Sequence, residues 1–104
     1  MTSIDTGAES FLVEWYGHHA PTLWIGETAQ LLNDRAAAVS AGGGQVRLLM
    51  AVAVPSDDYA FGVFAAVSAE VVAEICADAG APPERISAAA VWWLGQDVRS
   101  PTEI

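Results

Sequence analysis

A formal net charge of −9 over 104 residues, with four Arg and no Lys, excludes most nucleic-acid-binding proteins, because phosphate backbones need cationic partners. The same acidity disfavours binding to an anionic membrane surface, and the length predicts one domain. Hydrophobic residues make up 53% of the chain and the mean hydropathy is +0.34, which is high for a small monomer. We therefore expect a homodimer in which a second copy covers one face, or a ligand pocket that the surplus lines.

The chain divides into a flexible N-terminus over residues 1–9, a domain over residues 10–95 and a tail over residues 96–104. The polar, acidic start has no basic or apolar stretch, so we expect no signal peptide and a cytoplasmic protein. The apolar runs are too short to span a bilayer. The single cysteine, Cys76, excludes an internal disulfide, and its helical context predicts a buried thiol.

Residues 10–16 predict a first strand with two different faces. One face would carry Phe11, Val13 and Trp15, and the other Leu12, Glu14 and Tyr16. A helix capped by Thr22 follows, because apolar residues recur at helical spacing at Ile25, Ala29, Leu32, Ala36 and Val39. The run of three glycines at 42–44 would end that helix.

Two apolar runs, residues 46–54 and 59–67, are joined by the turn sequence Pro-Ser-Asp-Asp and predict a β-hairpin. In the first arm, simple alternation assigns one face to Val46, Leu48, Met50, Val52 and Val54. Ser68 would cap a second helix that Gly80 stops. A last strand is predicted over residues 86–94, with Trp92 and Trp93.

The predicted order β-α-β-β-α-β leads to an α+β, ferredoxin-like fold, with a four-stranded antiparallel sheet covered by two helices on one face. The other sheet face would have no cover within the chain. Leaving about 500 Å² of such a face wet would forgo about 12 kcal/mol. A partner copy or a ligand is the expected cover.

Five segments in order also suggest a family. They are FLVEWY at 11–16, VPSDD at 54–58, FGVF at 61–64, AVSAEVV at 66–72 and AGAPPERI at 79–86. Together they resemble the nickel-binding-protein-like domains of unknown function, which are small bacterial ferredoxin-like proteins that pair as dimers. The resemblance covers residues 10–93 and implies nickel as a possible ligand. More loosely, the same fold hosts small monooxygenases, isomerases and polyketide cyclases.

Three residues are candidates for a catalytic or binding role on the uncovered face. Glu14 interrupts an apolar strand, so its carboxylate must be paired, solvated or protonated with a raised pKa, and a raised pKa suits a general base. Arg47 could anchor a substrate oxygen or pair with Glu14, within one copy or across a dimer. Tyr16 could donate a hydrogen bond or simply fill space.

His18 and His19 lie next to each other in the loop after the first strand. Either could act as a base or a metal ligand, although neighbours in an extended chain point in opposite directions. A metal would also need carboxylates such as Glu14 or the Asp57–Asp58 pair. Ordinary loop histidines are the alternative.

Two main functions follow from the sequence, and a dimer that only bridges other proteins is a third, structural possibility. The first is a dimeric domain that binds a small apolar molecule or a divalent metal, with no cofactor or with nickel. The second is a cofactor-independent isomerase, cyclase or oxygenase, in which Glu14 or His18 moves a proton and Arg47 or Tyr16 stabilises an oxyanion.

Overall fold

The computed structural model describes residues 9–92, apart from the side chain of His19. Its strands are β1 (Glu9–Tyr16), β2 (Val46–Val54), β3 (Tyr59–Ala66) and β4 (Arg85–Ala89), and its helices are α1 (Ile25–Ala41) and α2 (Ala69–Asp78). The sheet order is β2-β3-β1-β4, and each neighbouring pair is antiparallel. The ferredoxin-like α+β fold is therefore confirmed.

One hydrophobic core lies between the sheet and the two helices. It joins one face of β1 to α1 and α2 through Phe11, Val13, Trp15, Leu32, Ala36, Val72, Ile75 and Cys76. The alternation predicted for β1 is correct, because these β1 residues are buried and their neighbours face away from the helices. Burial raises the pKa of the Cys76 thiol to about 12, so this cysteine is a core residue and not a nucleophile.

Small residues on β3 make room for the largest core side chain. The Trp15 indole nitrogen donates a 2.7 Å hydrogen bond to the carbonyl oxygen of Ala81. A Cβ built on Gly62 would lie 3.3 Å from Cγ2 of Val13 and 3.6 Å from the Trp15 ring. The glycine therefore permits the close approach that its place in a strand suggests.

A β-bulge between Leu48 and Met50 overturns the simple alternation predicted for β2. Leu48 pairs with Phe64 and Met50 pairs with Val63, so Leu49 is an extra residue on this strand. Beyond the bulge, Met50, Val52 and Val54 belong to the face without helices. Ala51 and Ala53 join Val46 and Leu48 on the helix side. Residues 48–50 are all apolar, so an extra residue among them leaves no visible break in an alternating pattern of apolar and polar residues.

The helix ends agree with the sequence in three places and differ in one. Ser68 caps α2, because its hydroxyl accepts a 3.3 Å hydrogen bond from the Val71 nitrogen, and α2 ends before Gly80. The glycines after Ala41 end α1, with Gly43 at φ +107°. The cap predicted at Thr22 is wrong, since α1 starts later, after Trp24, which makes no side-chain capping bond.

The last strand is shorter than the sequence suggests. β4 begins at Arg85 and ends at Ala89, and residues 90–92 are irregular. Trp93, the end of the predicted strand, the tail over 96–104 and residues 1–8 lie outside the described residues, whereas Glu9 already belongs to β1. No helix among residues 9–92 is long and apolar enough to cross a bilayer.

Candidate functional site

The sheet face opposite the helices, here called the open face, carries both apolar and polar side chains. Strand register places Leu12, Glu14 and Tyr16 of β1 on it, beside Tyr59, Phe61 and Val63 of β3, Met50 and Val52 of β2, and Arg85 and Ser87 of β4. Within the described chain, neither helix packs on this face. It is therefore the surface on which a ligand or a partner can meet Glu14.

Glu14 is the centre of a hydrogen-bonded network on the open face. Its Oε1 accepts a 2.8 Å hydrogen bond from the Tyr16 hydroxyl, and its Oε2 accepts a 2.9 Å bond from the Tyr59 hydroxyl. The rings of Tyr16 and Tyr59 stack with centroids 5.7 Å apart, and the Phe61 ring lies 6.0 Å from that of Tyr59. We call Glu14, Tyr16, Tyr59 and Arg85 the Glu14 network.

These contacts fix the protonation states of the network. The hydrogen bonds from Tyr16 and then Tyr59, helped by the charge of Arg85, hold the pKa of the Glu14 carboxyl below its usual value of 4.5 despite partial burial. The same hydrogen bond to Glu14 raises the pKa of Tyr16. Burial and then the bond to Glu14 raise the pKa of Tyr59. Of the three states expected for Glu14, the paired carboxylate is correct, and the raised pKa is wrong.

Arg85 is the cation nearest to Glu14 in register, and sequence reasoning missed it. It pairs directly with Glu14 across β1 and β4, and its Nε donates a 3.1 Å hydrogen bond to the Ser87 hydroxyl. Glu84 holds the start of β4 beside β1. Its backbone nitrogen donates a hydrogen bond to the Glu14 carbonyl oxygen, and its side chain accepts one from the Tyr16 nitrogen. Had the last strand been predicted to start at Arg85 instead of Ile86, the alternation of side chains would have placed Arg85 on the open face.

Arg47 lies on the open face, as predicted, but far from Glu14 along the strands. It pairs with Ala65, and Ala65 pairs with Ser10. Ser10 and Glu14 are four residues apart on β1, which is about 13 Å at 3.3 Å per residue. A pair between Arg47 and Glu14 within one copy is therefore wrong, and only the pair across a dimer stays a prediction.

His18 lies two residues after Tyr16 of the Glu14 network and lines a cleft that the network does not. It is exposed, in the short 3-10 turn Gly17–His19 after β1, and it lines a cleft with Trp24 and Asp58. Glu14 is not among the described residues that line this cleft. The His19 side chain lies outside the described part of the structure. The structure thus does not bring His18 and Glu14 into one site.

The part of the chain that the structure describes offers no ready nickel site. Within residues 9–92, no group of three or more His, Cys, Asp or Glu side chains is arranged to hold a metal ion. Each Glu14 carboxylate oxygen accepts one hydrogen bond from a tyrosine hydroxyl. We therefore derive no step through a metal.

Comparison with known proteins supports the fold alone. The structure resembles the crystal structure of SCO4226 from Streptomyces coelicolor A3(2), with a TM-score of 0.61 and 21% sequence identity. The match covers 81% of this chain and 99% of that one. No family model matches the sequence, and no curated protein is significantly similar to it. A likeness at this identity carries the architecture and no activity.

The lowered pKa of Glu14 predicts a pH-dependent stability. A carboxyl whose pKa falls on folding stabilises the native state above its unfolded pKa, and that contribution is lost as the pH falls through the lower folded value. We therefore expect the difference in unfolding free energy between wild type and Glu14→Gln to shrink as the pH drops below 4.5. Urea titrations at several pH values measure it.

The matched control removes the two hydroxyls and keeps the carboxylate. In the Tyr16→Phe/Tyr59→Phe variant, adding Glu14→Gln should change the unfolding free energy almost equally at all these pH values, because the donors that lower the pKa are gone. A difference between wild type and Glu14→Gln that stays constant from neutral pH to below 4.5 would contradict the assignment.

Proposed function

We propose that this chain is a homodimeric binding module that holds a small, largely apolar molecule against the open face, with the Glu14 network as its polar contact. The observation that carries the proposal is the Glu14 carboxyl, which accepts hydrogen bonds from two tyrosine hydroxyls on a sheet face that also carries Leu12, Phe61 and Val63. Polar groups set among apolar walls are how small-molecule sites fix the orientation of a ligand.

The open face is too apolar to be a plain water-exposed surface. Leu12, Phe61, Val63 and Val52 are buried or half-buried there without any helix above them, and Met50 is exposed. Covering such a face removes apolar area from water at about 25 cal/mol per Å². Two copies of a sheet that meet face to face, about 10 Å apart, supply that cover.

Charge also favours a second copy as the cover. The described part of the open face carries the Glu14 carboxylate together with Arg47 and Arg85, which are two of the four arginines in a chain of net charge −9. A symmetric interface must be self-complementary. A face that carries charges of both signs can meet this requirement.

The network supports ligand binding better than proton transfer. A general base works best with a pKa near the operating pH, and that of Glu14 is shifted away from neutrality. The raised pKa values of Tyr16 and Tyr59 make them weaker acids as well. Each carboxylate oxygen keeps a second acceptor site, so a ligand hydroxyl or amine can bind there without any change of protonation.

Native mass spectrometry of freshly purified protein tests the proposal. We expect a species of twice the 10.9 kDa chain mass that carries an additional organic mass. The Glu14→Gln variant should remain dimeric and lose most of the bound molecule, whereas Glu74→Gln, an exposed α2 control, should retain it. A 10.9 kDa monomer without a bound molecule would overturn the proposal. An added mass equal to that of nickel would also overturn it, because the bound ligand would then be the metal.

A further inference from the structure

A cleft lies at the end of the sheet where β1 and β2 finish, close to the strand ends that carry Tyr16 and Tyr59. It encloses about 390 Å³ between the segment from His18 to Trp24 and the turn that joins β2 to β3. Trp24, Leu23, Pro21 and Pro55 supply apolar walls, and Asp58 lines it as well. The volume suits a small ligand of a few heavy atoms.

The apolar walls are unusually exposed. Leu23 and Trp24 have 77% and 66% of their surface in contact with solvent, and neither belongs to the core. Neither side chain packs in the hydrophobic core, so the stability of the fold does not explain why large apolar residues stand in this loop. Trp is also the side chain whose ring face attracts cations most strongly.

Asp58 brings a carboxylate to the cleft on a backbone that hydrogen bonds hold in place, and His18 is the other titratable residue among the described lining residues. Asp58 has a left-handed backbone with φ 48°, fixed by the hydrogen bonds from its nitrogen to the Pro55 oxygen and from the Gly17 nitrogen to its own oxygen. No Lys or Arg is among the described residues that line the cleft. The positive end of α1 begins beside it, but Glu27 in the first turn of the helix opposes that partial charge.

We propose that this cleft binds a small organic cation, an ammonium group with apolar substituents, between the Trp24 ring and the Asp58 carboxylate. The aromatic face attracts the diffuse charge of an alkylated ammonium, and the carboxylate adds a Coulomb attraction. No residue of the Glu14 network lines this cleft.

A pair of probes of the same shape and different charge tests the charge preference. Choline carries a trimethylammonium group, and 3,3-dimethylbutan-1-ol carries a neutral tert-butyl group in its place. We expect choline to shift the Trp24 indole signal in a proton–nitrogen NMR spectrum with a Kd of about 1 mM, a weak affinity typical of few contacts. The neutral alcohol should bind at least about fivefold more weakly, because it lacks the Coulomb attraction.

Neighbouring aspartates provide a matched pair of variants. Asp58→Asn tolerates the left-handed backbone and should weaken choline binding about fivefold. Asp57 is next to Asp58 but is not among the residues that line the cleft. Asp57→Asn should therefore change the affinity for choline by less than about twofold. Trp24→Leu removes one indole signal from the spectrum and so assigns the reporter to Trp24.

Three outcomes would overturn the proposal: equal affinity for choline and the neutral alcohol, equal effects of the two aspartate variants, or no shift up to about 50 mM choline, well above the expected Kd. Glu14→Gln separates the two sites, because it should remove the ligand of the open face and leave choline binding unchanged.

Discussion

Replacing Trp15 with alanine should lower the free energy of unfolding by about 3–5 kcal/mol, the range for deleting a large buried aromatic side chain. The side chain is only 2% exposed, and its indole nitrogen is bonded to the Ala81 oxygen. Its ring lies close to Gly62, which has no side chain to fill the space that the ring would leave. Urea unfolding followed by circular dichroism measures the loss, which is a large part of the stability of a small domain.

Trp92 offers the matched control, because it is 82% exposed. Trp92→Ala should change the unfolding free energy by no more than about 0.5 kcal/mol, as expected for a surface substitution. Trp15→Phe should fall between the two, since it keeps a ring and leaves the Ala81 oxygen without its donor. Equal effects of Trp15→Ala and Trp92→Ala would show that Trp15 is not the central core residue.

Replacing Phe61 with glutamate should convert the proposed dimer into a monomer. Phe61 pairs with Glu14 in the middle of the open face, so the substitution would place a second carboxylate beside Glu14 and inside a face-to-face interface. Burying an added, unpaired charge is costly, so the dimer Kd should rise at least about 100-fold. Sedimentation over a concentration series gives the Kd, and circular dichroism verifies that the monomer remains folded.

Two residues of equal exposure control for the added charge. Met50 on the open face is 42% exposed, and Leu31 on α1 is 44% exposed. Met50→Glu should weaken the dimer, because the residue would lie within the interface, and Leu31→Glu should not. If Leu31→Glu dissociates the dimer and Met50→Glu leaves it intact, the helices and not the sheet form the interface.

Local patterns were sufficient for the elements and for the face on which Glu14 lies. The alternation in β1 depends only on period two, and the helices have clear apolar stripes and glycine stops. Glu14, Tyr16 and Arg47 were correctly placed on one face. Side chains alternate regularly throughout β1 and in β2 before the bulge, so their faces could be counted from the sequence.

Contacts between strands could not be predicted in the same way. Tyr59 and Arg85 reach Glu14 only through the register of β3 and β4 against β1, which one sequence does not specify. Tyr59 could have been found, since it is the first residue after the hairpin turn and β3 must lie beside β1 in this fold. The bulge in β2 left no signal in a run where all residues are apolar.

That bulge also affects how this protein avoids uncontrolled assembly. β2 is a nine-residue strand at the border of the sheet, and within the described chain only β3 pairs with it. The extra residue at Leu49 breaks the regular spacing of the amide and carbonyl groups on the outer edge of β2. A strand from another molecule therefore cannot pair along the whole edge in one register. Growth of the sheet into fibrils is thereby discouraged.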